Sequence, residues 1–192
     1  MLDLTEPYDD TAIINGVEYE INMSFDNILK LHEMLGDKEL TDAQQIVLGN
    51  IMLFGEDLKF DLETQEEIFN QVYKEKINGD NSDNEVITDI AGNPMPAVDP
   101  DQDDGDSEKV MSFKQDAEYI YASFMQDYGI DLMEEQGSMH WSKFTALLHG
   151  LRDNTKLMKV IEIRTMEIPK GTKAKEKENI EKAKKRYKLK PE

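Results

Sequence analysis

The chain has 192 residues, and its 41 Asp and Glu residues outnumber its 22 Lys and Arg residues, which gives a formal net charge of −19 at pH 7. A hydrophobic content of 39% is enough for a folded domain of this length. The absence of cysteine excludes disulfides and thiolate metal sites, and no apolar run reaches the roughly 18–20 residues that span a bilayer. We therefore expect a soluble, cytosolic protein.

The charge is unevenly distributed along the chain. Residues 170–192 are strongly basic, so the rest of the chain carries an acidic excess larger than the net value. Because an acidic surface repels phosphate groups, we expect no direct binding of nucleic acid.

The first predicted element is a β-hairpin within residues 12–21. Its centre, Asn15-Gly16, lies between two short apolar runs and tolerates the positive φ angles of a type I′ turn. From Val17 to Ile21, apolar and acidic residues alternate, as they do in a half-buried strand. Two strands alone are only marginally stable, so the hairpin is expected to pack on helices.

Three short helices with brief connections are predicted next. Ser24 caps the first, and Gly36 closes it. Thr41 and Thr64 are each followed three residues later by Gln or Glu, the capping-box pattern that opens a helix. The third helix ends near Asn78, and this layout is typical of a helical bundle.

Residues 79–111 are predicted to form a disordered acidic insertion. Most of this segment is rich in Asp, Asn and Pro and has too few apolar residues to offset its ordering entropy. The acidic residues from Asp99 onward resemble the start of an EF-hand loop. However, Asp104 and Val110 stand at the sixth and twelfth positions, where glycine and glutamate belong, so calcium binding is not expected.

Residues 112–169 are predicted to form a C-terminal helical core, in one domain with residues 1–78. The second helix of this core carries an apolar stripe at Trp141, Phe144, Leu147, Leu148 and Leu151. A third segment, capped by Asp153 or Asn154 and stopped by Pro169, has features of both helix and strand, and we favour helix. Trp141 is expected to belong to the core rather than to a docking surface.

The basic tail, residues 170–192, has a helix-forming composition but few apolar residues, so it is expected to be helical only against a partner. The predicted fold is therefore mainly α: a small helical bundle with an N-terminal β-hairpin and a disordered acidic insertion.

No motif for nucleotide binding, metal binding or nucleophilic catalysis occurs in the sequence. His140 is expected to be a packing histidine, although an enzyme that pairs His140 with Glu134 or Glu135 is an alternative. Arg164 lies in an otherwise apolar helix, and we expect its stem to be packed and its charge to meet a carboxylate.

The order YGIDL, GSMHWSKFTALLHGL and IEIRTMEIP, preceded by the hairpin INGVEYEI, resembles the gene-product-fifteen family of tailed bacteriophages of Gram-positive hosts. The residues that carry the resemblance are Gly129, Ile130, Asp131, His140, Trp141, Phe144, Leu147, Leu148, Gly150, Leu151, Ile161, Ile163 and Arg164. They cover most of the chain apart from the acidic insertion and the basic tail.

The resemblance implies a tail assembly chaperone that binds the tape-measure protein, recruits tail-tube subunits and is itself absent from the mature virion. It implies action in the host cytoplasm and no catalytic residue. The opposite charges of tail and body predict head-to-tail self-association, and the lack of motifs predicts no metal or cofactor. The candidate partner-binding residues are Trp141, Phe144, Leu148, Ile161 and Arg164. The alternative from another class is an acidic nucleic-acid mimic or inhibitor, which would imitate the spacing of phosphates.

Overall fold

A computed structural model describes residues 4–78, 110–169 and 171–190. The elements are β1 (Thr11–Ile14), β2 (Val17–Glu20), α1 (Phe25–Leu35), α2 (Asp42–Phe54), α3 (Leu62–Val72), a π-helical turn (Tyr73–Ile77), α4 (Ala117–Tyr128), α5 (Trp141–His149), α6 (Lys156–Thr165) and α7 (Ala174–Tyr187). The prediction of a mainly α fold with an N-terminal hairpin is confirmed. The predicted acidic insertion, with the segment considered for calcium, lies outside the described residues except for 110 and 111.

The chain divides into two compact units. Unit 1 consists of Met1–Glu85 and Met133–His149, and unit 2 of Val86–Leu132 and Gly150–Glu192. Unit 1 therefore contains the hairpin, α1 to α3, the π-helical turn and α5, whereas unit 2 contains α4, α6 and α7. The segment predicted as one C-terminal core contributes helices to both units.

The hairpin of unit 1 forms as predicted. Asn15 and Gly16 have φ angles of 51° and 80°, as a type I′ turn requires. β1 and β2 pair antiparallel with Ile14 opposite Val17, and the ladder continues to a bond of 2.7 Å from the Ile21 N–H to the Asp10 carbonyl.

The helix caps agree with the sequence patterns only in part. Thr41 forms the predicted capping box with Gln44, and Ser24 occupies the N-cap position of α1 without a side-chain bond to the helix. The predicted box at Thr64 is wrong, because Asp61 is the N-cap of α3 and its carboxylate accepts from the Thr64 N–H. Aspartate is a strong N-cap residue, and here it begins the helix one turn earlier.

Close packing joins α2 to α3. A Cβ on Gly49 would overlap the Phe69 ring, so glycine allows the two helices to approach. Beside it, the fully buried Asn50 donates from Nδ2 to the Gln65 carbonyl at 2.8 Å. The buried apolar residues of unit 1 are Ile14, Ile21, Met23, Phe25, Ile28, Leu31, Leu53, Leu58, Phe69, Val72, Ile77, Met139, Trp141, Phe144 and Leu148.

Unit 2 packs α4 on α6 through a buried hydroxyl. Ser123 Oγ accepts from the Leu157 N–H at 2.9 Å and donates to the Tyr119 carbonyl at 2.7 Å. The segment from Lys156 is a helix, as favoured, but its N-cap is Thr155 rather than Asp153 or Asn154. The buried apolar residues of unit 2 are Ile120, Phe124, Leu132, Leu151, Leu157, Val160 and Ile161.

The basic tail is helical from Ala174 to Tyr187 and packs on α6 of the same unit. No side chain of α7 is buried, which agrees with its shortage of apolar residues. The neighbour against which this helix forms is therefore supplied by its own chain.

Candidate functional site

Backbone contacts of β type hold the start of α5 beside the start of α1 in unit 1. The Trp141 N–H donates to the Met23 carbonyl at 2.8 Å, and the Phe25 N–H donates to the Met139 carbonyl at 2.9 Å. An isolated antiparallel bridge lies between these two bonds. α5 is therefore tied to a part of the chain more than a hundred residues earlier.

Three candidate partner-binding residues, Trp141, Phe144 and Leu148, lie together on the buried face of α5. The Trp141 ring stacks on Phe144 with centroids 5.6 Å apart, and Phe144 stacks on Phe25 at 5.0 Å. The indole N–H of Trp141 donates to the Ile77 carbonyl at 3.2 Å. Trp141 is only 5% exposed and Phe144 only 1%. These side chains are part of the core of unit 1, and their role in partner binding stays a prediction.

His140 uses both ring nitrogens in contacts with its own unit. Nδ1 accepts from the Ser142 N–H at 3.0 Å, so in the neutral ring Nε2 carries the proton and donates to Asp10 Oδ1 at 2.9 Å. The carboxylate in contact is therefore Asp10 rather than Glu134 or Glu135, which the enzyme alternative proposed. A pair with Asp10 could not be read from the sequence because the residues lie far apart in the chain.

His140 and His149 also differ in their surroundings. His140 stacks on Tyr8 with centroids 3.7 Å apart and an interplanar angle of 9°. Burial lowers the pKa of His149, and its Nε2 has no hydrogen-bond partner among the described residues.

The other two candidate residues, Ile161 and Arg164, lie on α6 in unit 2. Ile161 is buried in the core, and the Arg164 guanidinium forms two bonds of 2.7 Å with the carboxylate of Asp116. Arg164 also donates to the carbonyls of Val110 at 2.8 Å and Tyr187 at 2.6 Å. The side chains of Arg164 and Asp116 are 9% and 1% exposed, so the predicted carboxylate partner exists and the pair is buried.

The end of α7 is held on unit 2 by polar contacts. Lys156 lies over the rings of Tyr119 and Tyr187, 5.4 and 5.0 Å from their centroids. This ammonium also bonds to the Tyr187 hydroxyl at 3.1 Å and lowers its pKa. Gln115 forms a reciprocal amide pair with the backbone of Lys190, at 2.8 and 2.9 Å.

Unit 1 also contains a cavity of about 480 Å³ that sequence reasoning missed. It is lined by β1 on one side and by α3 and the π-helical turn on the other, through Asp9, Thr11, Ala12, Ile13, Ile14, Asn15, Thr64, Glu67, Ile68, Gln71, Val72, Glu75 and Lys76. We call this cavity the β1 groove. The run Ala12-Ile13-Ile14 contained a signal for an exposed apolar side chain next to this cavity. Successive residues of a strand point to opposite faces, so three consecutive apolar residues cannot all point inward. Of these three, Ile13 is exposed, at 77%.

Residues 4–78, 110–169 and 171–190 contain neither a cluster of metal-ligating side chains nor a membrane-spanning helix. No group of three or more His, Asp or Glu side chains in these ranges could hold a metal ion. No helix within them is long and apolar enough to cross a membrane. The expectation that the chain needs no metal or cofactor stays a prediction.

The comparison with known families identifies the chain. A family described as Bacteriophage Gp15 protein matches residues 8–189. No curated protein and no solved structure matches the chain. Because the family match begins before the hairpin and ends after α7, it covers the described elements of both units, and we conclude that this chain belongs to the Bacteriophage Gp15 protein family.

Proposed function

We propose that this protein is a non-catalytic tail assembly chaperone that binds the tape-measure protein during phage tail morphogenesis. The observation that carries the proposal is the family match over residues 8–189, since a tail assembly role is what resemblance to this family implies. Tail-tube subunits and further copies of the chain are the other proposed partners. The proposed place of action is the host cytoplasm, and the mature virion is proposed to lack the protein.

Exposed apolar side chains support binding of an apolar helical client. The chain has 11 methionines, and Met133 of unit 1 and Met125 of unit 2 are 65% and 43% exposed. In unit 1, Leu48 and Leu62 are also exposed, at 38% and 45%. Because methionine side chains are flexible and polarizable, they adapt to apolar partners of varied shape.

Charge supports the solubilising part of the role. A net charge of −19 disfavours aggregation of a complex that contains apolar client helices. Lys175 and Lys185 of α7 are exposed, where they can meet an acidic neighbour.

The state of the histidines supports a non-catalytic role. Both nitrogens of His140 are engaged within unit 1, and burial lowers the pKa of His149. A general base needs a free nitrogen within reach of a substrate proton, and His140 offers none.

Co-expression with a client tests the proposal. An apolar helical fragment of the tape-measure protein encoded by the same phage is expressed alone, with this chain, and with its Met133→Glu variant. We expect the intact chain to keep the fragment in the supernatant in a complex whose mass, measured by light scattering, exceeds that of one copy of each. We expect Met133→Glu to reduce the yield of complex, and Glu134→Ala, beside it in the chain, to serve as the matched control. Precipitation of the fragment in the presence of the intact chain would exclude the chaperone function.

A further inference from the structure

β1 is an open strand edge. Among the strands in the described part of the chain, β2 is its one neighbour in the sheet. In a two-residue hairpin the residues flanking the turn form a hydrogen-bonded pair and the pairing alternates from there. The bond from Ile21 to Asp10 follows this alternation, so the N–H and C=O of Ile13 point away from β2. An extended polypeptide can add to such an edge as a further strand.

The β1 groove is lined by residues of this strand, and its lining combines a few apolar side chains with a larger polar part that has an acidic excess. Ile14, Ile68 and Val72 supply apolar surface, and Ile14 and Val72 are otherwise buried. The carboxylates of Glu67 and Glu75 line the groove and belong to exposed residues. The cation of the lining, Lys76, is already paired with Asp9 at 2.8 Å. The groove therefore suits an extended segment whose side chains alternate between apolar and basic.

The end of this chain is such a segment. In Tyr187-Lys188-Leu189-Lys190 the apolar residues are half-buried and the lysines exposed. Tyr187 is the last residue of α7, and Lys188, which follows it, is extended with φ −58° and ψ 133°. The N–H and C=O of Lys190 already bond to one amide, that of Gln115, as they would to a neighbouring strand. Pro191 has no N–H, so strand pairing ends after four residues, which is the length of β1.

We infer that residues 187–190 of one copy add to the edge of β1 in a second copy, with Tyr187 and Leu189 on the apolar part of the lining and Lys188 and Lys190 near Glu67 and Glu75. The inference identifies the contact through which copies of the chain associate. It therefore rests on the self-association that is part of the proposed function. Binding exchanges the bonds that hold this segment on its own unit for strand bonds on β1, and the bonds given up include the part-buried one from Arg164 Nε to the Tyr187 carbonyl at 2.6 Å. Because the contact joins different surfaces of identical copies, it repeats from copy to copy and gives rings or filaments.

Matched charge variants of the full chain test the inference. The double variant Glu67→Lys/Glu75→Lys changes the groove, whereas Glu63→Lys/Glu66→Lys makes the same change of charge at exposed α3 positions outside it. Sedimentation equilibrium at low salt is expected to show association weakened about tenfold or more by the groove variant and by Lys188→Glu/Lys190→Glu. The control variant Glu63→Lys/Glu66→Lys should change the strength of association less, relative to the intact chain. Mixing the groove variant with the Lys188→Glu/Lys190→Glu variant should restore association between the two, because each tail then meets a groove of opposite charge in the other variant.

Amide hydrogen exchange tests the strand edge itself. On association, or on addition of a synthetic peptide spanning residues 184–192, the Ile13 amide should exchange more slowly, whereas the Glu18 amide, on the other strand, should not change. Equal association of groove and control variants, an unchanged Ile13 amide, or a monomer at all concentrations would each overturn the inference. The client assay separates this from the proposed function. If the groove variant is monomeric but keeps the client soluble, both the β1 contact and the chaperone activity are supported. If the intact chain associates but the client precipitates, the chaperone function alone is excluded.

Discussion

The side chain of Arg164 joins parts of unit 2 that lie far apart in the sequence. Its guanidinium contacts the segment before α4, through Val110 and Asp116, and the end of α7, through Tyr187. The sequence indicated that an arginine in an apolar helix needs a carboxylate. It could not indicate which one, because Asp116 is 48 residues away and many other acidic residues were available.

Removing Asp116 should cost unit 2 much of its stability. In Asp116→Ala the Arg164 charge stays buried without its carboxylate, and such a loss typically costs about 3–5 kcal/mol. The double variant Asp116→Leu/Arg164→Met removes both charges and should lose less. Urea denaturation followed by far-UV circular dichroism measures both, with the exposed Asp153→Ala as control, expected within about 0.5 kcal/mol of the intact chain. Equal stability of Asp116→Ala and Asp153→Ala would show that Arg164 finds another anion.

At the level of elements, helices with strong local signals were predictable and their long-range partners were not. The stripe of α5 is a local pattern, and this helix occurs where expected. The Trp141 bond to Ile77, 64 residues earlier, leaves no local pattern. The Thr64 box failed because two capping patterns compete within one turn, and Asp61 caps the helix.

Trp141 should be the anchor of α5. Trp141→Ala removes a side chain that is 5% exposed and that stacks on Phe144, and truncation of a buried large aromatic typically costs about 3–5 kcal/mol. Lys143→Ala, at an exposed position of the same helix, is the control and should change little. Thermal unfolding followed by circular dichroism makes the comparison. Wild-type melting of Trp141→Ala together with lost client binding would instead identify Trp141 as a docking residue.

For the molecule as a whole, the distribution of charge was more predictable from the sequence than the position of the β1 groove. The acidic body and basic end follow from composition, and α7 carries its charges on the surface as expected. The β1 groove was not predictable, because it depends on how closely α3 approaches the hairpin, which the sequence does not encode locally. The family was recognised from the HW-x-x-F segment, whose aromatic residues lie in the core of unit 1.

Salt should stabilise the intact chain. With a net charge of −19, folding brings like charges together, and raising salt from about 0.02 M to about 0.5 M shortens the screening length from roughly 20 Å to roughly 4 Å. The melting temperature at low protein concentration should therefore rise over this range. A variant with Glu63→Gln and Glu66→Gln should show a smaller rise. A melting temperature that falls with salt would mean that attraction between unlike charges outweighs the repulsion.

The division of unit 1 into two stretches of sequence has a consequence for synthesis on the ribosome. The chain supplies Met1–Glu85 first, but the helix that covers Phe25 and bonds to Ile77 belongs to Met133–His149. At translation rates of roughly 5–20 residues per second, the emerging hairpin and first three helices wait several seconds for that helix. During this interval their aromatic surface is open to the ribosome exit, to host chaperones and to neighbouring nascent chains. A stable fragment of unit 1 must therefore retain the sequence through His149.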